Sequence, residues 1–216
     1  MVKGASCFPF WISREGVRWF LGLLFLSCLL LAFSKFAAGL ALLCGVLASL
    51  FFRVPRRVAP QEPGFILSPA DGKIVAVDDV QEDYFLGGMS KRISIFLSIL
   101  DVHMNYAPVD GVIDCVEYRK GQFRWAFEPK ASDLNENQRI GISGPSGRLL
   151  LRQIAGAVAR RIVLFKKTKQ PVKRGEIIGM IRFGSRVEIY IPASAALKVR
   201  VGERVAGGLT VLAHTA

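Results

Sequence analysis

Histidine is nearly absent from this chain: its 216 residues include two, His103 and His214. The four cysteines, Cys7, Cys28, Cys44 and Cys115, are scattered. They show no Cys-x-x-Cys pair and no Cys/His spacing, which excludes the common zinc sites and a disulfide framework. They read as small apolar residues in a reducing compartment. No Gly-x-x-x-x-Gly-Lys loop and no Gly-x-Gly-x-x-Gly occurs, so the usual phosphate cradles are missing. The Gly-x-Ser-x-Gly elbow of many serine hydrolases is missing too. Acidic residues are outnumbered, 17 against 29 basic, for a net charge of +12. That excess is compatible with a solvated basic face, an anionic lipid surface or nucleic acid.

What the chain has in quantity is apolar sequence, 51% of its residues, and it is concentrated. Between Trp19 and Phe52 the only formal charge is Lys35. Each half of this stretch is near the lower limit of a spanning helix, about 17 residues where about 20 are usual. A hairpin of two short spans turning at Ser34-Lys35 is one reading, and a single bent insertion is the other. Arg14 and Arg18 precede the stretch, and Arg53, Arg56 and Arg57 follow it. Cationic flanks stay cytoplasmic, so a hairpin keeps both on that side of the membrane. "RVPRRVAPQEPG", residues 53–64, then stops any helix with three prolines and a glycine.

The rest, residues 65–216, reads mostly as strands. Runs at 72–80, 91–99, 111–121, 138–144, 147–156, 177–184, 186–192 and 197–205 carry β-branched or aromatic residues between Gly, Pro, Asn or Asp. A short helix is expected near 154–163, and 122–137 reads as a polar loop. The expected fold is mainly β (α+β). It consists of a basic lead (1–18), a membrane-embedded helical hairpin (19–52), a linker (53–64) and a β-rich sandwich or partly closed barrel.

Candidates for chemistry are few. His103 lies where an apolar strand opens into a loop, a position suited to acid–base work. It equally suits a histidine that only bonds its own loop. Asp71 sits in a Pro-Ala-Asp-Gly turn, common for conformational reasons alone. Ser185 stands in "GMIRFGSRVEIYIP", where strand-like sequence runs up to Gly184-Ser185 and straight on after it. A triad of Ser185, His103 and Asp71 is one option, since triads are recognised by geometry and not by order. Another chemistry wants glycine directly before serine. If the Ser185 hydroxyl attacks the Gly184 carbonyl, the peptide becomes an ester. Elimination and hydrolysis then leave a pyruvoyl group and a broken chain. Glycine removes the side chain that would crowd the attack.

Four segments, "SPADGKIVAV", "KRISIFLSILDVHMNYAPVDG", "LRQIAGAVARRIV" and "KRGEIIGMIRFGSRVEIYIP", together resemble phosphatidylserine decarboxylase in its short bacterial and archaeal form. The resemblance runs in order from about Pro63 to Pro192. It implies a proenzyme that cuts itself at Gly184-Ser185 into a β chain (1–184) and an α chain (185–216), which stay together as a heterodimer. It implies a covalent pyruvate cofactor made from Ser185 and no metal. That cofactor decarboxylates phosphatidylserine to phosphatidylethanolamine and CO2 through a Schiff base. Asp71 and His103 match the family's aspartate and first histidine. Long members read His-x-x-His, and here the second place is Tyr106, so His103, Tyr106 or a water takes the second histidine's job. Arg182 or Arg186 is a candidate for the lipid phosphate, and Phe183 for an apolar wall. The implied location is the cell membrane, with the catalytic domain on the cytoplasmic face against an anionic lipid surface and with no nucleic-acid partner. Two other readings stay open: a membrane-anchored β-barrel that binds lipid or nucleic acid without catalysis, and a serine hydrolase. Both leave the chain uncut.

Overall fold

The computed structural model describes residues 12–122, 134–156, 162–181 and 185–215. It divides into two compact units, residues 1–56 and 57–216.

The first unit is an antiparallel helical pair. Helix α1 (Arg14–Leu30) starts where Ser13 Oγ accepts from the Gly16 N–H, and Glu15 lies in its first turn. Both features suit the electropositive start of a helix. Helix α2 (Lys35–Phe51) is capped the same way, by Ser34 on the Ala37 N–H. The two pack closely: Ser27 Oγ donates to the Ala38 carbonyl at 2.8 Å, and a Cβ on Gly45 would lie 3.2 Å from Leu23 Cβ. The hairpin expected around Ser34-Lys35 therefore forms. Its spanning character is not borne out. Each helix has 17 residues, about 25 Å of rise against a hydrocarbon core of about 30 Å. Among the described residues no helix is long and apolar enough to cross a membrane. Both helices nonetheless keep large apolar side chains outward, among them Phe25, Leu29, Phe36, Leu43 and Leu47.

The second unit is built from strands. In chain order they are β1 (Phe65–Leu67), β2 (Gly72–Glu82), β3 (Gly88–Leu97), β4 (Met104–Tyr106), β5 (Gly111–Arg119), β6 (Asn137–Gly144) and β7 (Gly147–Ala155). There follow β8 (Ile162–Leu164), β9 (Pro171–Val172), β10 (Ile177–Ile181), β11 (Ser185–Pro192), β12 (Ala196–Leu197), β13 (Arg204–Val205) and β14 (Val211–His214). Eight of them form one sheet in the order β13-β2-β3-β11-β7-β6-β5-β9. It curls as a half-barrel around a core that includes Ile74, Ile93, Ile95, Ile140, Leu151 and Ile189. Two three-stranded sheets, β1-β14-β12 and β4-β10-β8, complete the unit, and Ile66, Ile178 and Leu212 join the same core. The chain is thus mainly β with two helices.

The expected strands at 72–80, 91–99, 111–121, 138–144, 147–156 and 186–192 match to within a few residues. The run 197–205 does not: it is a turn between β12 and β13, with Gly202 at φ 97°. Ile154 and Ala155 end β7 instead of starting a helix, and residues 157–161 lie outside the described ones. Much of the expected loop 122–137 lies outside them too.

Candidate active site

The strand-like runs on either side of Gly184-Ser185 belong to different sheets. β10 pairs with β4 and β8, whereas β11 lies between β3 and β7 in the eight-stranded sheet. The chain changes sheet between Ile181 and Ser185. Both ends of the change are fixed. Ile181 is fully buried and donates its N–H to the His103 carbonyl at 3.2 Å. Ser185 pairs with Leu97 on one side and Ala155 on the other. Arg182, Phe183 and Gly184 themselves lie outside the described residues.

Ser185 is 0% exposed, and its Oγ has no hydrogen-bond partner among the described residues. A buried hydroxyl without a partner costs about 1–3 kcal/mol, so an orphan in the middle of a sheet calls for a chemical reason. Strand alternation puts Ser185 on the same face as Val187. Leu97, Ile181 and Val187 form a small apolar cluster with Ala70, the residue before Asp71. This cluster gathers the start of β11, the end of β10 and the Asp71 turn.

His103 immediately precedes β4 and is buried. Its Nδ1 lies 2.8 Å from the Asp101 carbonyl oxygen. A carbonyl only accepts, so Nδ1 carries the proton and Nε2 is the basic nitrogen of the neutral ring. The loop is held by Asp101, whose carboxylate accepts from the Ser98 N–H at 2.8 Å, the Ser98 hydroxyl at 2.7 Å and Arg204 at 3.1 Å. Burial works to raise the Asp101 pKa, but the Ser98 hydrogen bonds and the Arg204 charge outweigh it and hold the carboxyl below its usual range.

Asp71 is tied elsewhere. Arg57 grips it with both ends of its guanidinium, at 2.5 and 2.8 Å, and the Gly207 N–H donates to it at 2.7 Å. Burial opposes the Arg57 charge, yet the bond to Asp71, the neighbouring Tyr106 and the Asp71 charge carry its pKa above normal. The Arg57 guanidinium also lies 5.1 Å from the centre of the Tyr106 ring. Gly207 lets that ring pack directly on the backbone, since a Cβ there would lie 2.6 Å from it. The structure therefore joins Asp71 to Tyr106 through Arg57 and Gly207. No Ser–His–Asp relay is assembled among the described residues: the partners of Asp71 are Arg57 and Gly207, and Ser185 Oγ has none.

Two sequence readings change. Arg57, which reads as part of a basic membrane flank, is the partner of Asp71. Arg186 is buried, and alternation sends it to the sheet face opposite Ser185, beside Glu188. Burial, reinforced by Arg92, lowers its pKa, with Glu188 compensating in part.

The family model described as phosphatidylserine decarboxylase matches residues 45–213. The chain is 45% identical over 206 residues to a phosphatidylserine decarboxylase proenzyme of Carboxydothermus hydrogenoformans, covering 94% of this chain and 96% of that one. It is 40% identical to the proenzyme of Symbiobacterium thermophilum, over 93% and 94% of the two chains. The proenzyme of Anaplasma phagocytophilum is 41% identical, over 96% and 92%. This chain belongs to the phosphatidylserine decarboxylase family. The sheet change lies between Ile181 and Ser185.

Proposed function

We propose that this chain is a phosphatidylserine decarboxylase that activates itself by breaking its own backbone before Ser185. One observation supports the reading most: a fully buried serine hydroxyl without a hydrogen-bond partner among the described residues, at the first residue of a strand anchored on both sides. Ser185 Oγ adds to the carbonyl of Gly184, and its proton passes to a base, which we assign to His103 Nε2. The C–N bond breaks, the nitrogen takes up a proton, and an ester remains. Removal of the Ser185 α-proton expels the carboxylate of Gly184. Water then replaces the enamine nitrogen, releasing ammonia and leaving a pyruvoyl group at the head of the α chain.

The pyruvoyl group supplies a ketone that takes the substrate amine and a neighbouring carbonyl that draws off the electrons of the broken C–C bond. The chain's own residues do the rest. Ala70, Leu97, Ile181 and Val187 give an apolar wall that solvates a departing carboxylate poorly. His103 Nε2 holds the proton returned to the α-carbon. Asp71, through Arg57, fixes Tyr106 and the turn before β2.

Strand pairing favours an α/β heterodimer. After a cut at 184/185, β11 of the α chain still pairs with β3 and β7 of the β chain, and β14 with β1. The apolar helical pair fits insertion into a bilayer, with the basic flanks and the catalytic unit on the cytoplasmic side. The substrate stays in the bilayer, so tethering replaces a search through solution by a lateral one. Borohydride added with phosphatidylserine should attach the lipid amine to the 185–216 fragment. Label on the larger fragment, or cleavage of a Ser185→Ala chain, contradicts the mechanism.

A further inference from the structure

Two buried amides close to Ser185 are only half used. Gln153 Nε2 donates to Asn105 Oδ1 at 2.7 Å, and each residue is 1% exposed. Asn105 Nδ2 and Gln153 Oε1 have no hydrogen-bond partner among the described residues. Each unmet amide half in a core is destabilising, and two apolar side chains would fill the space without that penalty. Such a pair calls for a further bonding partner.

Its place in the fold indicates which partner. Gln153 in β7 sits opposite Val187, and Ala155, two residues on, sits opposite Ser185. Gln153 and Ser185 are therefore diagonal neighbours on one face, about 7–8 Å apart, within reach of a long side chain. Asn105 lies two residues after His103. The β4–β10 ladder continues from Met104 to the Ile181–His103 hydrogen bond, so Asn105 and His103 share a side of the strand. Asn105 pairs with Gly179, where a Cβ would come 3.2 Å from Gln153 Nε2. Glycine there leaves room for the amide bond to cross. The Asn105–Gln153 contact thus links the strand that follows His103 to the strand beside Ser185.

We propose that Asn105 is a catalytic residue of self-cleavage. Asn105 Nδ2 donates a hydrogen bond to the oxyanion formed when Ser185 Oγ adds to the preceding carbonyl. Gln153 is the positioning residue that holds the Asn105 amide in place. In that step the Oγ–C bond forms and the carbonyl π pair becomes the oxyanion's lone pair. Collapse expels the backbone nitrogen, which takes up the proton released from Oγ. Nothing is oxidised or reduced, and Asn105 stabilises charge without entering a bond. This rests on the self-processing reading above.

Cell-free translation of the full chain, followed in time by denaturing separation of cut from uncut product, reads the cleavage rate directly. Asn105→Asp keeps the Oδ1 that receives Gln153 and removes the donor. It should slow cleavage about 100-fold or more, as expected on losing one oxyanion donor. Asn105→Ser, which still offers a donor, should cleave faster than Asn105→Ala. Gln153→Leu should slow the wild-type chain but add nothing in the Asn105→Ala background, because it acts only through Asn105. In a Ser185→Ala background, Asn105→Asp should melt within a few degrees of Ser185→Ala alone. Wild-type cleavage rates in Asn105→Asp overturn the assignment, as does Asn105→Ser no faster than Asn105→Ala. Independent, multiplying effects of the Gln153 and Asn105 changes, or slowed cleavage that merely follows a collapsed melting temperature, overturn it as well. A wild-type chain that never cleaves overturns the self-processing reading instead.

Discussion

Asp71 and Arg57 form a pair in which neither side chain is more than 14% exposed. A carboxylate that accepts from both ends of a guanidinium and from a backbone N–H has its lone pairs engaged, which suits a strut better than a base. Arg57→Met should leave a buried carboxylate without its counter-ion and cost about 3 kcal/mol, measured by urea unfolding. An unchanged unfolding midpoint would remove the pair from the account. Asp101 gives a pH prediction. Its folded pKa is held below its unfolded value of about 3.9. The stability it contributes is present above that unfolded value and is lost as the pH falls through the lower folded one. Asp101→Asn should therefore flatten the fall in melting temperature below about pH 4, and an identical acid limb in both chains would contradict this. At this scale the local settings of Ser185, His103 and Asp71 were legible because each stands at a Gly, Pro or strand-end signal. Arg57 was not, because its partner is fourteen positions away across a proline-rich segment and local sequence offers it a bilayer instead. The Asn105–Gln153 pair was silent for the same reason: nothing in a strand's pattern tells which buried amides meet.

Strands hold Ser185 in place. β11 is central in its sheet and buried along nearly its whole length, so Ser185 has little room to move. The Asp71 turn is held by Gly72, at φ 150°, where a Cβ would lie 2.2 Å from the Phe96 carbonyl oxygen. Gly72→Ala must move backbone on β2 or β3. It should cost more than about 1 kcal/mol and slow self-cleavage, read by melting temperature and by the fraction of uncut chain. A cut, equally stable Gly72→Ala chain would show that the turn is not under this constraint. The long strands were readable because each carries enough alternating residues to show its period. β1, β4 and β8, three residues each, were not, since so short a run shows no period and forms only where longer strands supply its partners.

At the scale of the molecule, the chain combines a β-rich unit with an apolar helical pair, and the two ask for different surroundings. Large exposed apolar side chains on both helices are costly in water and favourable against lipid. A chain lacking residues 1–52 should keep the melting temperature of the β unit and lose binding to phosphatidylserine vesicles, measured by flotation. Binding equal to that of the full chain would reassign membrane contact to the β unit. The hairpin was plain in the sequence from its lack of charge, while the sequence left open whether it spans, and among the described residues no helix is long and apolar enough to do so. The central claim concerns the chain's own covalent continuity, so mass spectrometry of the purified protein under denaturing conditions tests it most directly. The account predicts two species, one of them residues 185–216 with a pyruvoyl group in place of its amino end. A single unmodified chain of 23.8 kDa that still converts phosphatidylserine would contradict it.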